Sequence, residues 1–301
     1  MGRRSRAKGA GHAAIALAPA DDNGGSTMTG ARDDILRGER FAFGDNWRQF
    51  LELVNEDRVE AAAQSLRDFL GVDDLAGQSF VDVGSGSGLS SLAARRLGAR
   101  VMSFDFDPQS VACTTELRRR YFPDDPDWRV LQGSALDADY IKGLGDFDVV
   151  YSWGVLHHTG DMWTALALVD HLVAQDGLLW LALYNDQGRA SQMWLRLKRA
   201  YNDARPAKRR ALVAGANAYF EARAAPGRLT NRLAGVRSAS VPSRGMDRRR
   251  DLVDWVGGYP FEVSRPEQVF DFYRDRGFAL RRLKTAGGGL GTNEFLFQRL
   301  G

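Results

Sequence analysis

From Phe80 onward the chain alternates short, continuous apolar runs with stretches whose apolar positions recur at helical spacing. This rhythm predicts a parallel sheet covered by helices on both faces. SFVDVG supplies the first strand and LSSLAARRLG a helix ended by Gly98. RVMSFD reads as the second strand, followed by a helix from Pro108 to Tyr121 with Asp107 placed to cap its first turn. WRVLQGSAL, FDVVYSW and GLLWLALYN give strands three, four and five, with a helix near DMWTALALVDHLVAQDG between the last two. After Asn185 the rhythm stops, and basic, helix-prone sequence runs on to RPEQVFDFYRDRGF, an amphipathic helix. The closing stretch ALRRLKTAGGGLGTNEFLFQRL holds two β-like runs around a glycine-rich link, the pattern of a terminal hairpin. The expected class is α/β, with a doubly wound seven-stranded sheet, a C-terminal antiparallel hairpin and a helical insertion after the fifth strand.

Composition narrows this picture. With 301 residues, 44% of them hydrophobic, the chain can bury one sizeable α/β core with additions. The single cysteine, Cys113, can make no internal disulfide, and supplies neither an iron–sulfur cluster nor a cysteine zinc site. No metal is expected. No run reaches the ~20 apolar residues that span a bilayer, and the apolar core near the N-terminus is too short and alanine-rich for a signal peptide. A soluble, cytoplasmic protein is the expectation. The net charge of +3 is modest, yet between Arg189 and Arg250 sixteen Lys or Arg stand against Asp203, Glu221 and Asp247, so this segment is strongly basic and the rest is net acidic.

The candidate chemistry begins at FVDVGSGSGLSSLAARRLGARVMSFDFDP. A dinucleotide fingerprint needs G-x-G-x-x-G, but after Gly84 and Gly86 the third position is Leu89. No Gly-Lys-Ser/Thr follows, which removes the phosphate loop. What remains is D-x-G-x-G-x-G: Asp82 at a strand end, then Gly84, Gly86 and Gly88, which let backbone approach a ligand. With Asp105 at the end of the next strand, 21 residues beyond Gly84, this resembles the first signature of class I S-adenosylmethionine-dependent methyltransferases.

The resemblance implies a Rossmann-like fold, S-adenosylmethionine as cofactor and Asp105 on its ribose hydroxyls. Asp82, Gly84, Ser85, Gly86, Gly88, Phe106, Ser134, Ala135, Ser152 and Trp153 are the further candidate cofactor contacts. Ser134 stands in QGSAL where the superfamily often carries an acid beside the adenine. The implied layout is a disordered tail over 1–35, cap helices over 36–78 and a cofactor-binding core over 79–186. A basic lid follows over 187–262, and a helix and hairpin completing the core over 263–301.

The fourth strand runs into YSWGVLHHTGDMW, which resembles the small-molecule branch near the ubiquinone and menaquinone methyltransferases. Methyl transfer needs an aligned acceptor and, for some acceptors, removal of its proton. His157 and His158 are therefore the candidate bases; their blander role is to orient the loop by hydrogen bonds. SWGV is not the Asn/Asp-Pro-Pro-aromatic run used on flipped bases, and Cys113 lies on the second helix, away from where a covalent pyrimidine adduct would form.

Trp194, Leu197 and Tyr201 recur at helical spacing with Arg196, Lys198 and Arg199 between them, as in a basic amphipathic lid over an anionic or lipid-linked acceptor. In the dense run of Trp255, Gly257, Gly258, Tyr259, Pro260, Phe261 and Glu262, which suggests a shaped loop, Tyr259 and Glu262 are candidate acceptor contacts, or dock the insertion onto the sheet. Tyr184 and Trp47 complete the candidate acceptor residues, with Phe43, Trp47 and Phe50 as cap or core. The leading expectation is transfer to an O or N atom of a small-molecule or lipid-like acceptor. Two alternatives stand beside it: an RNA- or protein-directed enzyme docking through residues such as Arg209 and Arg210, and a non-catalytic cofactor-binding sensor or scaffold.

Overall fold

The computed structural model describes residues 41, 51, 53–233, 248–287 and 289–301. The tail expected over 1–35, and Phe43, Trp47 and Phe50 of the expected cap, lie outside the described residues.

Helix α1 (Glu56–Leu70) precedes the sheet; Asn55 caps it by accepting from the Arg58 amide at 3.1 Å, and Gly71 ends it at φ +74°. Strand β1 (Ser79–Val83) leads into α2 (Leu89–Arg96), β2 (Arg100–Asp105) into α3 (Pro108–Tyr121), and β3 (Trp128–Gln132) into α4 (Ala138–Gly143). The α3 start is as the sequence predicts: Asp107 accepts from the Gln109 amide at 2.9 Å and Pro108 opens the first turn. Strand β4 (Phe147–Trp153), α5 (Met162–Val169) and β5 (Val173–Tyr184) continue the alternation, and α9 (Pro266–Arg274), β6 (Phe278–Lys284) and β7 (Thr292–Arg299) close it.

The seven strands lie in the order β3-β2-β1-β4-β5-β7-β6, with β7 antiparallel to both of its neighbours. Strand alternation divides the core between the two faces of the sheet. Phe80, Val149, Trp180 and Leu296 pack beneath α1–α3, while Val81, Val150, Leu181 and Phe297 face α4, α5 and α9. The order reverses between β1 and β4, which opens a crevice beyond their carboxyl ends.

Two expectations need adjustment. The helix expected through DMWTALALVDHLVAQDG stops at Val169, and β5 begins at Val173 rather than Gly177. Phe147 pairs with Val173, and a register shift with Asp176 at φ +60° lets the chain enter the sheet early. Helix α4 adds an element that the strand rhythm does not announce; its N-cap Asp137 accepts from the Asp139 and Tyr140 amides, a capping signal inside an otherwise weak pattern.

Between β5 and α9 lie α6 (Arg189–Asn202), α7 (Pro206–Leu233) and α8 (Arg248–Gly257). They gather around a third apolar cluster of Trp194, Tyr201, Ala216, Val256 and Phe261.

Candidate active site

The turn after β1 is built on backbone that only glycine adopts without strain. Gly84, Gly86 and Gly88 have φ of +79°, +54° and +80°. A Cβ on Gly84 would stand 2.3 Å from Val155 Cγ1, and one on Gly88 would stand 2.9 Å from Thr114 Cα. Asp105 grips this turn: its carboxylate accepts from the Gly86 amide and the Asp107 amide, each at 2.9 Å. From α3, the Thr114 hydroxyl lies 2.9 Å from that of Ser85 and reaches the Gly86 carbonyl at 3.3 Å. Helix α2 opens directly behind the turn, so its positive dipole end lies against the same turn.

Beneath the turn, a buried relay ends on Asp82. The Trp128 indole, which can only donate, gives its proton to the Ser103 hydroxyl at 2.9 Å. Ser103 then donates to Ser91 at 2.7 Å, and Ser91 to the Asp82 carboxylate at 2.6 Å. Burial pushes the Asp82 carboxyl up to about 7, with the nearby Asp105 charge adding to the rise.

At the end of β4, Gly154 (φ +79°) turns the chain into a 3₁₀ turn over Leu156–His158. The two histidines then part. His157 has 0% exposure; its Nδ1 accepts from the Tyr184 amide at 3.2 Å, and the two rings stack at 3.8 Å. His158 has 7% exposure and meets the Pro260 carbonyl through Nδ1 at 2.6 Å. A carbonyl oxygen can only accept, so Nδ1 carries the proton.

One cavity of about 1860 Å³ joins these parts. Asp82, Gly84, Ser85, Gly86, Asp105 and Phe106 line one end, with Ser134 and Ala135 beside them. Trp153, His158 and Tyr184 line the other, together with Trp255.

Other candidates fall outside its walls. Gly88 serves the turn from behind, and the Ser152 hydroxyl donates to the Val83 carbonyl at 3.0 Å, tying β4 to β1. His157 lies under Tyr184. Tyr259 sits on the insertion side, where its carbonyl accepts from the Phe41 amide and its ring meets Arg199. The Glu262 carboxylate accepts from the Gly160 and Met162 amides at 3.1 Å, beside the Asp161 cap of α5, and so docks the insertion; half-burial raises its pKa. Trp47 lies outside the described residues. Among the described residues, no group of three or more His, Cys, Asp and Glu side chains is arranged to hold a metal.

Sequence pattern sets Trp255 in a shaped loop without assigning it to the site, and passes over Thr114 and a polar set on the cavity wall in which Glu294 accepts from the Trp153 indole at 3.2 Å and from Lys284 at 2.9 Å. It also sets Lys198 between the apolar positions of α6. Lys198 is instead buried in the aromatic cluster, and its spacing from Trp194 and Tyr201 (i, i+4, i+7) already places all three on one face.

Residues 81–179 match the family described as Methyltransferase domain. The chain is 33% identical over 112 residues to the ubiquinone biosynthesis O-methyltransferase of Xanthomonas oryzae pv. oryzae, a match covering 37% of this chain and 45% of that one. It is 52% identical over 48 residues to the ribosomal protein L11 methyltransferase of Alteromonas mediterranea, 16% of each. The chain thus spans less than half the length of these curated relatives. In fold it resembles the magnesium protoporphyrin IX methyltransferase (ChlM) of Synechocystis PCC 6803 with bound SAH, at a TM-score of 0.52 and 14% identity, covering 90% of this chain and 99% of that one. It also resembles PKMT2 of Rickettsia typhi in complex with AdoHcy, at 0.51 and 11%, covering 79% and 52%. Residues 81–179 thus carry a methyltransferase domain, and the glycine turn with Asp105 and the strand order resemble those of the class I S-adenosylmethionine-dependent superfamily.

Proposed function

We propose that the protein transfers a methyl group from S-adenosylmethionine to an O or N atom of a small-molecule or lipid-like acceptor, with His158 as the base where the acceptor must lose a proton. The observation that carries this reading is that His158, its Nδ1 proton committed to Pro260, lines the same cavity as Gly84, Gly86 and Asp105.

The chain's residues fit the cofactor. The glycine turn that lines the cavity, and the Asp105 carboxylate already gripping it, suit a nucleoside held against backbone. When bound, S-adenosylmethionine supplies an electrophilic methyl group. Asp105 would hold its ribose, Gly84 and Gly86 would admit it, and Ser134 and Ala135 would border its base.

On the acceptor side, Tyr184, Trp153 and Trp255 form apolar walls that favour a flat or hydrocarbon-rich molecule and keep water out. Holding such an acceptor in line is the larger part of the catalysis, because displacement at a sulfonium needs alignment above all. His158 adds general-base capacity. The small-molecule acceptors of the magnesium protoporphyrin IX and ubiquinone enzymes support the same class.

Arg209, a residue of the macromolecular alternative, is exposed and donates to the Tyr201 carbonyl at 3.1 Å and the Asn202 carbonyl at 2.9 Å, so it also helps to end α6.

The test is transfer of labelled methyl from S-adenosylmethionine into bacterial extract, separated into lipid, small-molecule, protein and nucleic-acid fractions. Label in the first two pools is the expected result. Label lost to protease or nuclease would overturn the acceptor class, and no label despite tight cofactor binding would overturn the enzymatic reading.

A further inference from the structure

The aromatic wall at the acceptor end is organised around an ammonium group. Lys198 on α6 has 0% exposure. Its Nζ donates to the Trp255 carbonyl and lies 4.8 Å from the Trp255 ring, 4.7 Å from that of Phe261 and 5.8 Å from that of Tyr184. These partners come from separate places in the chain: Tyr184 ends β5, Trp255 lies in α8, and Phe261 follows it. One atom therefore joins the first helix of the insertion, the segment that returns to the sheet, and the end of the central strand.

Two of the three rings, Tyr184 and Trp255, line the cavity. Tyr184 also stacks on His157 at 3.8 Å and stands edge-on to His158 at 5.3 Å.

Taking an ammonium out of water is costly, and an apolar side chain of the same length would fill the space without that cost. An apolar filler has no preferred direction, however. A cation is drawn to ring faces and to one carbonyl lone pair, so it specifies how those rings are turned. The buried charge makes sense where the orientation of the rings, and not the filling of the space, is what must be held.

We propose that Lys198 is a positioning residue that orients Tyr184 and Trp255 as the acceptor wall and latches the insertion over the reactive end of the cavity. The consequence for turnover rests on the acceptor reading above; the latch itself does not.

The experiment compares full-length wild type with Lys198→Met, which keeps length and removes charge, and Lys198→Arg, which keeps charge. Four quantities are read: S-adenosylhomocysteine affinity by calorimetry, the near-ultraviolet circular dichroism of the aromatic cluster, the rate of tryptic cleavage at Arg189, Arg196 and Arg199, and labelled methyl transfer into whichever extract fraction accepts it. For Lys198→Met we expect unchanged cofactor-product affinity, a diminished aromatic signal, cleavage faster by roughly thirtyfold and methyl transfer slower by roughly thirtyfold, the scale of one desolvated cation–π contact. Lys198→Arg restores most of the signal and of the protease resistance.

A Lys198→Met protein that matches wild type in signal and cleavage would overturn the latch, as would equal losses in the Met and Arg variants, which would make Lys198 a matter of volume. If Lys198→Met shows no cooperative unfolding, Phe261→Leu carries the test: the same signature at smaller amplitude supports the latch and wild-type behaviour refutes it. Failure of the wild type to bind S-adenosylhomocysteine would remove the methyltransferase reading, while the circular dichroism and cleavage rates would still decide for or against the latch.

Discussion

The two ends of the cavity are made of different materials. At the β1–α2 turn, position is set by backbone: three glycines at positive φ, and amide protons received by Asp105. At the acceptor end, position is set by side chains drawn from distant segments, with Tyr184, Trp255 and Phe261 around Lys198 and His158 pinned by Pro260. A backbone cradle tolerates no added atoms but depends little on the chemistry of its surroundings. A side-chain wall can be re-lined residue by residue, as an acceptor site must be if one fold is to serve many acceptors.

Substitutions separate the two ends. The largest effect is expected at the acceptor side: His158→Ala should slow labelled methyl transfer by ~10²–10⁴-fold while leaving S-adenosylhomocysteine affinity by calorimetry as in wild type. Unchanged transfer would remove the base and leave alignment alone.

At the other end, Gly84→Ala places a methyl group against Val155 on strained backbone, and should weaken S-adenosylhomocysteine by about 100-fold. Wild-type affinity would mean the turn relaxes freely.

Glu262→Ala strips the Gly160 and Met162 amides at the start of α5 of their acceptor and cuts one tie of the insertion, and should cost about 1 kcal/mol, read as a fall of a few degrees in the thermal midpoint. No shift would show that the insertion is held without it.

A pH-dependent effect concerns Asp82. Its buried carboxyl is pushed up to about 7, against ~3.9 in the unfolded chain, so between those pH values the folded state holds a proton that the unfolded state has released. Stability from this group is full below about pH 4, falls as pH rises to about 7, and is level above. Asp82→Asn should therefore gain in urea midpoint relative to wild type as pH rises across that window, and a constant difference would contradict the shift.

The contrast also explains what could be read from the sequence. Gly84, Gly86, Gly88, Asp105 and the Asp107 cap act within a few residues or through one strand pairing, so spacing carries them, and the alternation of strands carries the sheet. Glu262 and Gly160 are 102 positions apart, and nothing local distinguishes an acid that docks the insertion from one that meets an acceptor. Ser152 shows the same limit in small: a strand-end hydroxyl can face a ligand or a neighbouring carbonyl, and strand pairing decides. Lys198 is easily misread because it stands among arginines, although helical spacing sets it with Trp194 and Tyr201. Interior cations contradict the expectation that charge faces water, so only a tertiary arrangement reveals them.

The insertion leaves and re-enters the sheet at a single point. Asn185 bridges Ser264, the Asp186 amide donates to the Ser264 carbonyl at 3.0 Å, and the Ser264 amide donates to the Tyr184 carbonyl at 3.0 Å. A segment whose two ends are already joined can be lengthened, shortened or exchanged without disturbing the strand order, since closing a longer loop adds little entropy. The insertion is built as a cassette: exchanging it at this one junction would replace Trp255 on the cavity wall and leave Trp153, His158 and Tyr184 in place.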